Sequence, residues 1–246
     1  MSSRSKNAVE FGRVGAQLLT MLVFAGVGYV ILRRRGWIRF RFRASDVREA
    51  LRFGVPLIPH ELGALVITQT DRLFITNMIS LAQAGIYTVG LQIAAVVELL
   101  ASSFNQAYSP WLFRKLQEGR EEDKRRIVRW TYAYFAGILT LPFLLSAAAS
   151  WFLPLLVGRD YVGAGVFIFW IALGFAFSGM YYMVANYIFF AERTSALAAV
   201  TAATAVLNVV LNWVLISRNG AVGAAQASAA SFFTSFVLTW IVSARV

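Results

Sequence analysis

An all-α bundle of membrane-spanning helices is the fold class this sequence predicts, on three observations. Of 246 residues, 59% are hydrophobic and only 14% charged, more apolar sequence than a water-soluble core needs. Near-continuous apolar runs recur seven times, each long enough to cross roughly 30 Å of hydrocarbon at about 1.5 Å per residue. The arginines and lysines gather between particular runs instead of scattering along the chain.

The first run, Val14 to Leu32, is longer than the apolar part of a signal peptide. It leads into RRRGWIRFRFR and not into a small-residue cleavage site, so it reads as a retained span. The second, Val55 to Ile79, is interrupted by Pro56, Pro59, His60, Glu61, Asp71 and Arg72. Ala84 to Leu112, Trp130 to Val157, Val162 to Phe190, Ser195 to Ile216 and Ala221 to Val242 complete the set. The expected organisation is a leading helix and basic linker over residues 1–52, followed by a six-helix unit over residues 53–246. The connections Ser80 to Gln83, Gly158 to Tyr161 and Ser217 to Gly220 are too short for an extramembrane domain on that side. The segment RKLQEGREEDKRRIVR, residues 114–129, mixes charge signs and is expected to form a helical connector with a solvated face.

A net charge of +11 could belong to a nucleic-acid binder, but its placement argues otherwise. One linker holds Arg33, Arg34, Arg35, Arg39, Arg41, Arg43, Arg48 and Arg52. Another holds Arg114, Lys115, Arg120, Lys124, Arg125, Arg126 and Arg129. With seven spans these two fall on one side, which the positive-inside rule makes cytoplasmic. The N-terminus is then outside, the C-terminus inside, and nucleic acid is not an expected partner. The same arginines are placed to hold anionic membrane lipids. There is no cysteine and one histidine, which leaves neither a disulfide framework nor a zinc set. No phosphate-cradling GxxxxGKS, HExxH or GxSxG occurs, and neither a cofactor nor enzymatic chemistry is expected.

The polar residues of the spans fall in stripes. His60, Ala64, Thr68, Asp71 and Arg72 lie near one side of the second span, and Glu98, Ser102, Asn105 and Ser109 near one side of the third. Ser178, Tyr182 and Asn186 mark the fifth, and Thr201, Thr204, Asn208 and Asn212 the sixth. Because an ionised group in hydrocarbon costs at least about 2.5 kcal/mol, such stripes must face protein or water. A bundle enclosing a hydrated cleft is expected to serve all four. The candidate cavity residues are Arg72, Asp71, Glu98, Asn105, Tyr182, Asn186 and Asn208. Arg72 reads either as an ion-pair partner or as a contact for an anionic substrate, and Glu98 as a candidate for proton coupling. Pro56, Pro59 and His60 read as a hinge or helix break, Pro142 and Pro154 as kinks. The asparagines of the sixth span read first as interhelical hydrogen-bonding glue.

Several ordered segments carry a resemblance. FGVPLIPHELGALVITQTDRLFI, GIYTVGLQIA and SSFNQAYSPWLF, with LNVVLNWVLISRNGAVGAAQASAAS at residues 207–231, resemble the second half of bacterial polysaccharide flippases of the multidrug/oligosaccharidyl-lipid/polysaccharide exporter superfamily. The resemblance covers roughly residues 50–246. It implies a transporter of lipid-linked oligosaccharide that works by alternating access between two six-helix lobes, with Asp71 and Arg72 at the family's Asp-Arg position. Such families have about twelve to fourteen spans. Seven spans therefore imply a chain lacking the first lobe, which a longer reading frame, a partner or other polysaccharide-assembly proteins would supply. Two alternatives keep part of this reading: a multidrug or cation exporter of the same fold, and a membrane glycosyltransferase or polymerase acting on the same lipid carriers.

Overall fold

The computed structural model describes residues 3–36, 43–55, 57–156 and 163–245. Eight helices follow one another, with no strand among the described residues: α1 Ser3–Arg34, α2 Ala44–Gly54, α3 Leu57–Met78, α4 Leu81–Glu118, α5 Glu121–Leu156, α6 Gly165–Phe190, α7 Thr194–Asn219 and α8 Ala221–Ser243. Seven helical stretches are long and apolar enough to cross a membrane, one for each run read from the sequence. The chain divides into two units, Met1–Glu49 and Ala50–Val246.

In the first unit α1 presents Leu18, Leu19, Leu22, Phe24 and Ile31 around its circumference. A helix apolar all round belongs in lipid or inside a larger bundle. It ends at Gly36, whose φ of +68° favours glycine.

In the second unit α6 is the central helix, packed on α4, α5 and α8, while α3 packs on α7 and α8. Small residues set these distances, as expected where lipid removes the hydrophobic drive between helices. An added Cβ at Gly174 would sit 3.4 Å from Ala229 Cα of α8, and one at Gly179 would sit 2.9 Å from Ala101 Cβ of α4. The α7–α8 hairpin closes more tightly still, a Cβ on Gly223 falling 2.1 Å from the Leu215 carbonyl oxygen. Around this frame Tyr87, Val97, Leu112, Phe167, Ile171, Met183 and Phe236 form the main core.

Two expectations are corrected. The charged segment 114–129 is no separate connector: α4 runs on to Glu118, Gly119 caps it in the left-handed conformation, and α5 begins at Glu121. At about 1.5 Å per residue the 38 residues of α4 and 36 of α5 reach well beyond a 30 Å hydrocarbon layer. Lys115 joins the two ends by pairing with both Glu118 (2.8 Å) and Asp123 (3.3 Å). Pro59 does not break a helix either, since it sits in the first turn of α3, where a missing N–H costs nothing. The break comes earlier, between the end of α2 at Gly54 and Leu57; Pro56 lies outside the described residues. Helix α5 runs on without interruption through Pro142 and Pro154, and α4 through Pro110.

Candidate functional site

The four polar stripes do not face one cleft. They separate into a buried network and a half-open ladder, with Arg72 beside the first.

The network centres on Asp71 of α3, 4% exposed. Tyr87 of α4 donates its phenol to Asp71 Oδ2 (2.5 Å), Ser228 of α8 donates its hydroxyl to the same oxygen (2.7 Å), and Asn212 Nδ2 of α7 donates to Oδ1 (3.0 Å). Three neutral donors from three helices thus satisfy one carboxyl group, the condition for burying such a group without a cation. The chain of bonds continues: Asn212 Nδ2 also meets the Asn208 carbonyl and side-chain oxygens at 3.1 and 3.2 Å, and Asn208 donates to Ser231 Oγ at 3.2 Å. Asn208 has no exposed surface and lies within the α7–α8 interface. Of its two readings, candidate cavity residue and interhelical hydrogen-bonding glue, this structure shows it in the second arrangement. Tyr87, Ser228 and Ser231 escaped the sequence reading because no helical period relates them to Asp71.

Arg72 follows Asp71, offset by about 100° around the helix, and takes no part in these hydrogen bonds. It is half-buried and forms no ion pair within 4.0 Å, and its Nε is buried without a hydrogen-bond partner. It lines a cavity of about 130 Å³ together with Asp71, Tyr87 and Ser228 of the network and with Thr68, Phe175 and Phe232. Of the two readings of Arg72, the ion pair within 4.0 Å is not formed among the described residues.

The ladder joins α4 to α6. Tyr182 donates its phenol to Glu98 Oε1 (2.5 Å), Ser178 hydrogen-bonds the same carboxylate, and Asn186 Nδ2 donates to Asn105 Oδ1 (2.8 Å). Tyr134 of α5 lies beside the Glu98–Tyr182 pair. Glu98 Oε2 is buried with no partner, and no cation lies within 4.0 Å. His60, at the start of α3, meets Thr201 Oγ1 of α7 through Nδ1 (2.6 Å) and faces the Tyr181 phenol of α6 through Nε2 (3.5 Å). The residue read as a hinge thus fastens α3 to its neighbours. Chemically the unit offers a guanidinium without an ion pair within 4.0 Å among the described residues, a carboxylate with an unpartnered oxygen and a set of phenols and amides. Such groups can bind and release a polar solute.

Residues 8–116 match the family model described as "Polysaccharide biosynthesis protein". That stretch holds α1, α2, α3 and nearly all of α4, with Asp71, Arg72, Tyr87, Glu98 and Asn105. It overlaps the resemblance drawn over residues 50–246 only in part. Two curated proteins of Haemophilus influenzae are similar. An "Uncharacterized membrane protein" is 29% identical over 188 residues, 74% of this chain and 45% of that protein. "Lsg locus putative protein 1" is 26% identical over 186 residues, 72% of this chain and 45% of that protein. The chain thus spans about half the length of the curated relatives it matches. No solved structure matches it. The chain is a multi-pass helical membrane protein that is similar, over residues 8–116, to polysaccharide biosynthesis proteins.

Proposed function

We propose that residues 53–246 form one six-helix lobe of a flippase that moves a polyprenyl-pyrophosphate-linked oligosaccharide across the bacterial inner membrane. In this reading the N-terminus is outside, the C-terminus is cytoplasmic and a second lobe completes the central cavity. The observation that carries it is Arg72, an arginine inside a span whose only neighbouring carboxylate is already satisfied by neutral donors. A half-buried cation inside a span, with no ion pair among the described residues, is costly unless an anion meets it during function. A guanidinium fork suits a pyrophosphate, since two of its N–H groups can meet two phosphate oxygens. The glycan head would cross beside the amides and phenols of the ladder while the polyprenyl tail stays in lipid. No bond is made or broken, so the task needs no catalytic residue.

The test is translocation of lipid-linked glycan by the assembled transporter with protein level quantified. Arg72→Ala should lower transport at least tenfold at near-normal abundance. Arg72→Lys should recover part of it, keeping the charge and losing the fork. Full transport by an abundant Arg72→Ala protein would remove the reading. One observation favours a cation exporter of the same fold: Glu98 keeps a buried carboxylate oxygen unpaired. That reading requires transport of small cations and its loss in Glu98→Gln with glycan transport absent throughout.

A further inference from the structure

Far from Arg72, the basic end of the bundle carries a second built feature. Helices α5 and α8 both pack on α6 and leave a groove of about 230 Å³ between their ends. Val128, Thr131 and Tyr132 of α5 form one wall, Trp240, Ser243 and Ala244 of α8 the other, with Val184 and Tyr187 of α6 as the floor. Its deep end is shut by aromatic packing, Phe135 meeting Trp240 at 5.6 Å and Phe236 at 5.4 Å between ring centroids. Tyr132 and Val128 are more than half exposed on the outer surface, where a membrane helix meets lipid.

The mouth is positively charged. Arg125 and Arg129 precede Val128 and Tyr132 by one turn on the same face of α5, and Arg245 follows Ala244 at the end of α8. All three are exposed, and none forms an ion pair within 4.0 Å among the described residues. Nearby acids are engaged elsewhere, Glu121 with Lys124 and Asp123 with Lys115. Glu122 lies on the same face farther from the membrane, leaving three positive charges less one. Exposed Trp130 and Tyr132 beside this mouth are the residue types that settle at headgroup level.

We propose that this groove is a binding site for an anionic glycerophospholipid of the surrounding bilayer. One acyl chain lies along Val128, Tyr132 and Trp240, and the headgroup phosphate meets Arg125, Arg129 and Arg245. The volume falls below the roughly 300–1,000 Å³ of pockets that enclose a drug-sized ligand, so the groove grips one chain at its headgroup end and leaves the remainder in the bilayer. Basic pockets between helices at this level suit such headgroups. The site rests on the membrane reading of the helices and not on the flippase reading.

Native mass spectrometry of the detergent-purified full chain, titrated with phosphatidylglycerol or with phosphatidylcholine of the same acyl chains, tests the site. The wild type should retain phosphatidylglycerol preferentially. The triple variant Arg125→Gln, Arg129→Gln, Arg245→Gln should lose that preference by roughly tenfold or more. Arg114→Gln in α4 with Arg120→Gln in the turn that follows it, at the same end, should keep it. Equal retention of both lipids by the wild type, or equal loss in the two variants, would overturn the site in favour of diffuse attraction. A photo-crosslinkable phosphatidylglycerol on the wild-type chain serves if the triple variant does not fold. Adducts on residues 128–132 or 240–245 support the site, and adducts spread over the lipid-facing surface overturn it. A co-purifying membrane polypeptide that crosslinks into the groove and resists added lipid would also overturn it.

Discussion

Asp71 and Arg72 are chain neighbours with opposite fates, because one residue of helix turns a side chain by about 100°. Asp71 is the hub where α3, α4, α7 and α8 meet, and Arg72 lines the same small cavity without joining its hydrogen bonds. Asp71→Ala would strand the Tyr87, Asn212 and Ser228 donors and should cost at least about 3 kcal/mol, since each unpaired buried polar group costs about 1–3 kcal/mol. Tyr87→Phe removes one donor and should cost about 1–2 kcal/mol. Thermal melting of the purified protein orders them: Asp71→Ala lowest, then Tyr87→Phe, with Arg72→Ala close to wild type. A melt of Asp71→Ala indistinguishable from wild type would contradict the hub. At this scale the sequence was half legible. Charged and amide residues in apolar runs announce themselves, and Glu98, Tyr182, Asn105 and Asn186 do meet in pairs. Which stripe is sealed and which stays open depends on helices far apart in sequence, so the sequence left Asn208 between cavity and glue and gave no sign of Tyr87.

Helices were more legible than their contacts. Run length fixed where each span lies, whereas the turn that splits segment 114–129 rests on one glycine whose left-handed backbone a run of mixed charge conceals. The packing of α7 on α8 likewise rests on a residue with no side chain. Gly223→Ala would drive a methyl into the backbone of α7 at 2.1 Å, which no rotamer relieves. Gly85→Ala in α4 meets nothing within 4 Å and should be neutral or stabilise the helix by about 0.5–1 kcal/mol. Membrane abundance and melting of the two variants should therefore diverge, with Gly223→Ala poorly recovered. Good recovery of Gly223→Ala would mean that the hairpin is looser than described.

For the whole molecule, the absence of cysteine makes topology directly measurable. Single cysteines introduced at 35, 120 and 218 should label in two groups, 35 and 120 from one face of the membrane and 218 from the other. Labelling of 35 and 120 from opposite faces would end the seven-span arrangement. The number of spans was legible from hydropathy; the partner surfaces were not, because an apolar helix that faces lipid and one that faces another lobe read alike. The paired ends of α4 and α5 have a practical consequence. They project beyond the hydrocarbon as two continuous helices joined by a short turn and fastened by Lys115 between Glu118 and Asp123. A small soluble protein inserted at Gly119–Arg120 with helical junctions would be carried rigidly by both, giving a bundle otherwise hidden in its micelle a fixed landmark for particle alignment in electron microscopy.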